Sequence, residues 1–441
     1  MSSNFKTLLI VTGAAVGLTL AVISLNSKPS AANDGGPALP ALQTSVNDVG
    51  TITVIRSSGT ASVTRDGSRW IVPAKEGFPA DPEKVRTSLL GLRDMQLVEP
   101  KTSTAEFYPK LGVQDVKVVP KPAPNPDGTT TPSELGDAAP GALVELKDVS
   151  GKAIGSLIVG NSAAGGGDMS RPVQSGQYVR RAGETQSWLT KGTVWLDAEP
   201  MNWIDRKVVG VERTRLKSAT VRRVTATGPQ PAAAIETTPD LEVLRNDAGS
   251  AAFDAVGKPD GRNYKASEAP DQVIAVIAYL GMEDVRKDTG TVLGTPDPQV
   301  QSQTDPSKKD NQAHPTVTQF ATFDGLVVTV KTGFESGKWW ASVSAEAAAD
   351  AIPPAPGADG DEKTKAEAAL KQAALAKEVE AINARCKGWL FAISQFDAKR
   401  LSPKLDELLA PDTPAPSNPA VGPALPGSNP VGPVGTPLPP K

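Results

Sequence analysis

The sequence predicts an α+β protein in which an N-terminal transmembrane helix precedes two related antiparallel-sheet-plus-helix units and a C-terminal hairpin/helix extension. Three observations lead to this prediction. An uncharged apolar stretch of 19 residues runs from Thr7 to Leu25. Short runs rich in Val, Ile and Thr then alternate with turn residues, a pattern typical of antiparallel strands. Helical hydrophobic spacing appears twice, after Asp81 and after Asp271.

The apolar stretch predicts a membrane anchor. A helix of this length rises about 28 Å at roughly 1.5 Å per residue, which matches the hydrocarbon core of a bilayer. Lys6 and Lys28 flank it, and no second apolar run of this length follows. We therefore expect a single-pass anchor with most of the chain outside the cytoplasm. Cleavage near Ser30-Ala31-Ala32, as in a signal peptide, is the alternative.

Three small residues lie on one side of the predicted anchor helix. Gly13, Gly17 and Ala21 recur at four-residue spacing, and small residues allow two helix backbones to approach closely in lipid. The spacing predicts a helix-packing surface for a second copy or for a permease. Ordinary use of Gly and Ala in a signal anchor is the other explanation.

The first predicted unit begins with strands over Thr51–Ile55, Thr60–Thr64 and Arg69–Val72. A helix follows, because Asp81 is a favourable cap residue and Pro82 is favourable in the first turn. The second unit repeats the order, with strand patterns in Val208–Val224 and Leu241–Leu244 before a helix that starts at Asp271. An offset of 188 residues aligns four apolar positions, namely Val85 with Val273, Leu89 with Ile277, Leu92 with Leu280 and Leu97 with Val285. This repetition predicts a duplicated strand–strand–strand–helix unit.

Further strands are predicted between and after these helices. They cover 142–146, 154–159, 178–180, 187–189 and 389–393, with a hairpin formed by 320–330 and 338–343 around 333–337. A short helical turn is predicted within 193–204. An amphipathic helix is predicted over Asp361–Cys386, with Leu375, Val379, Ile382 and Cys386 on one stripe. A last helix is predicted over Leu401–Leu409.

These elements predict seven segments in chain order. They are an anchor at 1–28, a linker at 29–48, a first unit at 49–204 with an inserted loop at 120–140, a second unit at 205–290, a flexible linker at 291–315, an extension at 316–410 and a Pro-rich tail at 411–441. The tail contains 11 Pro in 31 residues, which favours extended polyproline II. It is predicted to be a disordered spacer, with a docking strip for an aromatic groove as the alternative.

Composition excludes several classes of protein. A net charge of -3 argues against nucleic-acid binding, which usually needs a strongly basic face. One His and one Cys are too few for a zinc site or a disulfide framework. No catalytic residue, cofactor site or metal site is predicted.

Individual candidates for chemistry are weak. His314 lies in a loop without a nearby nucleophile, and Cys386 falls on an apolar helix stripe where a buried structural thiol is expected. Gly160–Gly167 has two glycines at phosphate-loop spacing but lacks the Lys-Ser/Thr that such a loop needs. The neighbouring carboxylates Asp197/Glu199 and Glu283/Asp284 are expected to be solvated pairs.

A basic stretch gives the one candidate binding surface. Residues 206–223 contain seven basic side chains and one Glu. Arg213, Arg215 and Lys217 alternate, which would place them on one face of a strand. That face is a candidate for anionic lipid or acidic cell-wall polymer, and a solvated strand face is the alternative. The seven Trp are expected to anchor the core, although several exposed in one groove would indicate sugar binding.

Several longer segments resemble the bacterial domain of unknown function 4340 family. The likeness covers most of about 49–410 and lies in structural rather than catalytic motifs. The segments that carry it are 178–184 (YVRRAGE), 188–189 (WL), 203–206 (WIDR), 322–326 (TFDGL), 337–340 (GKWW), 387–391 (KGWLF) and 405–409 (LDELL). Such proteins are similar to membrane-anchored envelope proteins whose genes often accompany gliding-motility-type ABC transporter subunits, and the family has no established catalytic residues to transfer.

The sequence and this resemblance together predict a non-enzymatic accessory protein. It would be anchored in the bacterial inner membrane by a single helix, with the bulk of the chain in the periplasm. Its partners would be the lipid bilayer and the permease of an ABC-type transporter or a related envelope complex. A glycan- or lipid-binding module is the alternative, and a cell-wall hydrolase is a third hypothesis. The oligomeric state stays open.

Overall fold

A computed structural model describes the body of the protein. The described residues are 35–117, 141–163, 176–227, 234–245, 247–249, 252–265, 270–289, 316–348 and 362–411. The predicted anchor, the loop at 120–140, the linker at 291–315 and residues 412–441 of the predicted tail lie outside these ranges. The fold is α+β, and the strand ladders of the described residues run antiparallel.

The first sheet contains nine strands in the order β4-β3-β2-β1-β6-β7-β8-β9-β5. The strands are β1 Val49–Arg56, β2 Gly59–Asp66, β3 Arg69–Val72, β4 Phe78–Pro79, β5 Gln96–Pro100, β6 Ala142–Asp148, β7 Ala153–Ala163, β8 Gly176–Arg181 and β9 Ser187–Lys191. The strand predictions in this part of the chain are confirmed. The tight turn between β2 and β3 needs Gly67, whose φ is 61°.

The second sheet contains eight strands in the order β13-β12-β11-β16-β17-β18-β19-β15, and β10 pairs with β14 beside it. The strands are β10 Lys207–Val209, β11 Leu216–Thr227, β12 Ala234–Leu244, β13 Asp254–Ala255, β14 Leu280–Gly281, β15 Asp284–Lys287, β16 Thr316–Thr322, β17 Leu326–Glu335, β18 Lys338–Ala347 and β19 Trp389–Ile393. Strands from 316 onward therefore belong to the same sheet as those from 216 to 287. The sheet crosses the predicted boundary at 291–315.

Seven α-helices accompany the sheets in the described ranges. They are α1 Leu42–Ser45, α2 Pro82–Asp94, α3 Tyr108–Leu111, α4 Pro270–Ala278, α5 Glu362–Cys386, α6 Gln395–Leu401 and α7 Leu405–Leu408. The long helix α5 is inserted between β18 and β19 and packs on β18. The single helix predicted over 401–409 is wrong, because the chain forms α6 and α7 with a break at Ser402–Lys404, where Pro403 removes a backbone donor.

The two sheets have the same strand order once the two-residue strand β4 is set aside. In each sheet a helix, α2 or α4, leads into an edge strand, β5 or β15, which pairs with the last strand of its unit. The four aligned apolar positions of the predicted repeat are buried in both units, from Val85 and Val273 (1% exposed each) to Leu97 and Val285 (3% each). The correspondence thus extends from local spacing to the whole sheet.

Helix α2 connects one edge of the first sheet to the other. Its Asp81 cap accepts hydrogen bonds from the backbone N–H groups of Glu83 and Lys84, and Pro82 is its first residue, as predicted. The helix is about 20 Å long and joins the opposite edges β4 and β5. The helix packs into the core through Val85, Leu89 and Leu92, which are buried.

The two units share one continuous apolar core. Phe78 of β4, 1% exposed, places its ring 4.9 Å from Trp389 and 6.0 Å from Phe391 of the second unit, both nearly edge-on. Beside these rings the Asp284 carboxylate accepts hydrogen bonds from Lys75 at 2.8 Å and Lys338 at 3.0 Å. Aromatic packing and an ion network together join the units.

The residues before β1 are part of the body rather than a free linker. Ala38 and Leu42 are fully buried, and Leu39 is 5% exposed. The Ala38 N–H donates to the Met95 carbonyl and the Gly36 carbonyl accepts from Leu97 N–H, both at 2.8 Å. The linker predicted for 29–48 therefore does not extend through 36–48, because this segment closes one end of the core.

Candidate functional site

The predicted basic strand face lies at one end of the second sheet. The structure places Arg213 and Arg215 in a 3-10 helix, Arg213–Arg215, in which the Arg215 N–H donates to the Glu212 carbonyl at 3.0 Å. Lys217 alone of the three is in strand β11, with an exposed side chain. The prediction of one strand face is wrong, because the chain turns between β10 and β11.

Arg215 forms the central contact of this region. Its guanidinium donates to both carboxylate oxygens of Glu378, on α5, at 2.9 and 2.8 Å, and to Asp324 in the β16–β17 turn at 2.9 Å. The hydrogen bond with Glu378 is the main cause that raises the pKa of Arg215. Burial acts to raise the pKa of Asp324, but hydrogen bonds from Thr322 and Arg215 outweigh it and the pKa is lowered. Arg215 and Asp324 are therefore both charged near neutral pH.

Arg245 supports the turn that carries these arginines. It is 5% exposed and lies between the rings of Phe253 and Phe323, 5.0 and 5.2 Å from their centroids. Its guanidinium donates to the Leu216 carbonyl at 2.7 Å and also bonds the Thr214 carbonyl. Sequence reasoning missed this residue, and the available signal was a cation placed directly after the apolar run of β12.

Arg213, Arg215 and Arg245 form an arginine cluster, and the first two of them pair with acidic side chains. Arg213 pairs with Asp271 of α4, and Arg215 pairs with Asp324 and Glu378. Three carboxylates thus pair with the guanidinium groups of Arg213 and Arg215. The arrangement fastens helices α4 and α5 to the sheet, which is a structural rather than a catalytic use of charge.

A cavity of about 350 Å³ adjoins the arginine cluster. Arg245, Asp247 and Asp254 line it together with apolar residues of β12 and β13. Asp254 accepts a hydrogen bond from the Tyr264 hydroxyl, and burial together with that bond raises the pKa of Tyr264 to about 12. Tyr264 is therefore a hydrogen-bond donor at neutral pH and not a base.

The neighbouring carboxylates are engaged in local or long-range contacts. Asp197 accepts from Glu199 N–H at 2.7 Å and from the Asn202 side chain at 2.8 Å, which shapes the 3-10 helix Pro200–Trp203. Asp284 holds the two units together and is 25% exposed, so it is not the solvated group that was expected.

The thiol and the tryptophans behave as core residues. Cys386 is 2% exposed on the core side of α5, and burial raises its pKa to about 11, as the apolar stripe predicts. Among the seven Trp, Trp195 is exposed, whereas the other six are buried or half-buried. Trp195 packs against the buried Trp203 in a tilted arrangement, with ring centroids 5.2 Å apart. The tryptophans therefore do not assemble an exposed groove.

Several candidates lie outside the described residues. They are Gly13, Gly17, Ala21, His314 and the part of the Gly-rich segment beyond Ala163. Within the described ranges no group of three or more His, Cys, Asp or Glu side chains is arranged to hold a metal ion. None of the helices in those same ranges is long and apolar enough to cross a membrane.

The fold and the arginine cluster define an antiparallel α+β protein built from two sheet-and-helix units. The chain belongs to the domain of unknown function (DUF4340) family, whose model matches residues 70–297. This confirms the resemblance drawn from the sequence, and the motifs between 178 and 206 fall inside the match. The motifs from 322 onward lie beyond it, although their strands complete the second sheet. No curated protein and no solved structure matches the chain.

Proposed function

We propose that this protein is a non-enzymatic, membrane-anchored accessory of an ABC-type transporter or related envelope complex in the bacterial inner membrane. The observation that carries the proposal is the uncharged stretch Thr7–Leu25 directly before a large folded body. In this proposal the stretch anchors the chain, the body lies in the periplasm, and both contact partner subunits. Genes of similar proteins often accompany those of gliding-motility-type ABC transporter subunits, and this association supports the transporter as partner.

The geometry of the body agrees with a role in protein contacts. Its ionic groups join elements to one another, as Asp284 joins the two units and Arg215 joins α5 to the sheet. A scaffold that holds fixed surfaces toward partners needs such internal cross-links. The same pairing weakens the alternative of an anionic-polymer site, because two of its three predicted cations already contact carboxylates.

Co-purification tests the proposal. The tagged full-length chain, extracted from native membranes in mild detergent, should recover transporter subunits far above the level of an untagged control in quantitative mass spectrometry. Repeated recovery without any transporter subunit, or fractionation of the chain with cytosolic proteins, would contradict the proposal.

The predicted helix-packing surface offers a matched pair of variants. Gly13→Leu with Gly17→Leu fills the side where a partner helix would approach, whereas Ala15→Leu adds the same bulk on the opposite side. We expect the glycine variant to lose partner recovery several-fold and the alanine variant to keep it. Equal recovery would show that the anchor makes no close helix contact, while the accessory role would stand.

A further inference from the structure

The chain enters the body at a specific place on the first sheet. At Gly35 a Cβ atom would lie 2.5 Å from the Leu97 carbonyl oxygen, so the backbone runs directly against edge strand β5. Arg181 of β8 donates to the Ala38 carbonyl at 2.8 Å and the Pro37 carbonyl at 2.9 Å. These hydrogen bonds fix the entry point, because they hold the backbone at Pro37 and Ala38 against β8.

The distance from the predicted anchor to this entry point is short. Leu25 and Gly35 are ten residues apart, so covalent geometry limits their separation to about 35 Å in any conformation. Part of this length crosses the headgroup layer, which leaves roughly 30 Å beyond the membrane surface. A folded body of about 290 residues measures about 50 Å across. The tether is therefore shorter than the body, and the far side of the body cannot reach the bilayer.

The surface around the entry point carries balanced charge. Arg93 pairs with Asp94, Lys101 with Glu99 and Arg181 with Glu184. Anionic lipid attracts clusters of unbalanced Lys and Arg, and these pairs are not such a cluster. The covalent tether, rather than charge, is then what turns this surface toward the membrane.

We infer that the surface around Gly35, Arg181 and strand β5 faces the bilayer, so that the first unit lies next to the membrane. The inference rests on the proposed anchor and adds an orientation to it. A partner in the same membrane meets the first unit before the second. It also follows that the orientation does not depend on anionic lipid.

Two valines of similar exposure provide the test. Val98 lies on β5 beside the entry point and is 47% exposed. Val256 is 50% exposed and follows β13, which is an edge strand of the second sheet. The other edge strand of that sheet, β15, is the one that contacts the first unit. The native Cys386 is buried, so Val98→Cys and Val256→Cys each add one reactive thiol. A fluorophore on each variant of the full-length chain in lipid nanodiscs reports its distance from headgroup-attached nitroxide quenchers.

We expect quenching at position 98 to exceed that at 256 by about two-fold or more, since the tether is shorter than the body. Replacing zwitterionic with anionic lipid should leave the ratio unchanged. A Gly/Ser spacer of about 30 residues inserted after Ser30 should bring the ratio toward one, because the lengthened tether lets the body turn over.

The outcomes separate the two proposals. Equal or reversed quenching in a chain that stays with the nanodiscs overturns the orientation alone. If the quenching ratio stays unchanged after the spacer is inserted, or rises with anionic lipid, the short tether is not the cause of the orientation. A chain that does not associate with nanodiscs overturns the anchor and the orientation together.

Discussion

Truncation of Phe78 tests the shared core of the two units. The ring belongs to the first unit, is 1% exposed, and contacts Trp389 and Phe391 of the second unit edge-on. A buried Phe→Ala change costs about 3–5 kcal/mol through lost burial and the cavity left behind. This is a large part of a typical folding free energy of about 5–15 kcal/mol. For a body of this size the melting temperature should fall by roughly 10 °C.

Thermal unfolding followed by near-ultraviolet circular dichroism and calorimetry measures this loss. Phe396→Ala is the matched control, because the same atoms are removed from a ring that is 60% exposed, and we expect it to cost less than about 1 kcal/mol. Because Phe78 joins the units, its loss should also broaden or split the transition. A Phe78→Ala protein that melts within about 2 °C of the control would refute the reasoning, since about 1 kcal/mol or less would then separate a buried from an exposed ring.

Three further predictions concern other contacts of the body. Arg215→Gln should loosen α5 and speed its proteolysis, with about 1 kcal/mol lost because the ion pairs are partly screened by solvent, whereas Lys217→Gln should change neither. Burial acts to raise the pKa of Asp284, but hydrogen bonds from Lys75 and Lys338 outweigh it and the pKa is lowered. Its contribution to the free energy of unfolding is therefore complete above the unfolded-state pKa and is lost as the pH falls through the lower folded-state pKa. Acid titrations of stability should therefore flatten in Asp284→Asn, and an unchanged acid limb would contradict this. Leu42→Ala should cost about 2–5 kcal/mol in denaturant unfolding because Leu42 is fully buried, whereas Leu370→Ala, 71% exposed to solvent, should be nearly neutral.

Local features of the fold were predictable because they depend on neighbouring residues. The Asp81 cap and Pro82 mark the start of α2, as the steric and hydrogen-bonding preferences of helix ends require. The strands of the first unit follow their alternating pattern, and the apolar stripe of α5 that packs against the core follows its helical period. The prediction of a single strand over 320–330 failed, because a turn interrupts it. Gly325, with a φ of 91°, forms this turn, and the segment is divided between β16 and β17.

The candidate site was less predictable because its partners are distant in sequence. Arg213 and Arg215 were found as cations, but the carboxylates that pair with them are 58, 109 and 163 residues away. Charge alternation in a short window cannot report such pairs, nor can it report a 3-10 turn that interrupts a strand pattern. Arg245 was missed for the same reason, since the rings that enclose it come from other segments.

The sequence by itself determined the α+β class, the family, the duplicated order of strands and helix, and the burial of Cys386. Each of these follows from residue type and short-range periodicity, which backbone sterics and side-chain polarity translate directly into structure. Tertiary structure decided that residues 316–393 complete the second sheet, that residues 36–48 close the first core, and that the arginine cluster holds helices to the sheet. These outcomes depend on which distant surfaces meet, and burial and charge pairing select them only after the chain has folded.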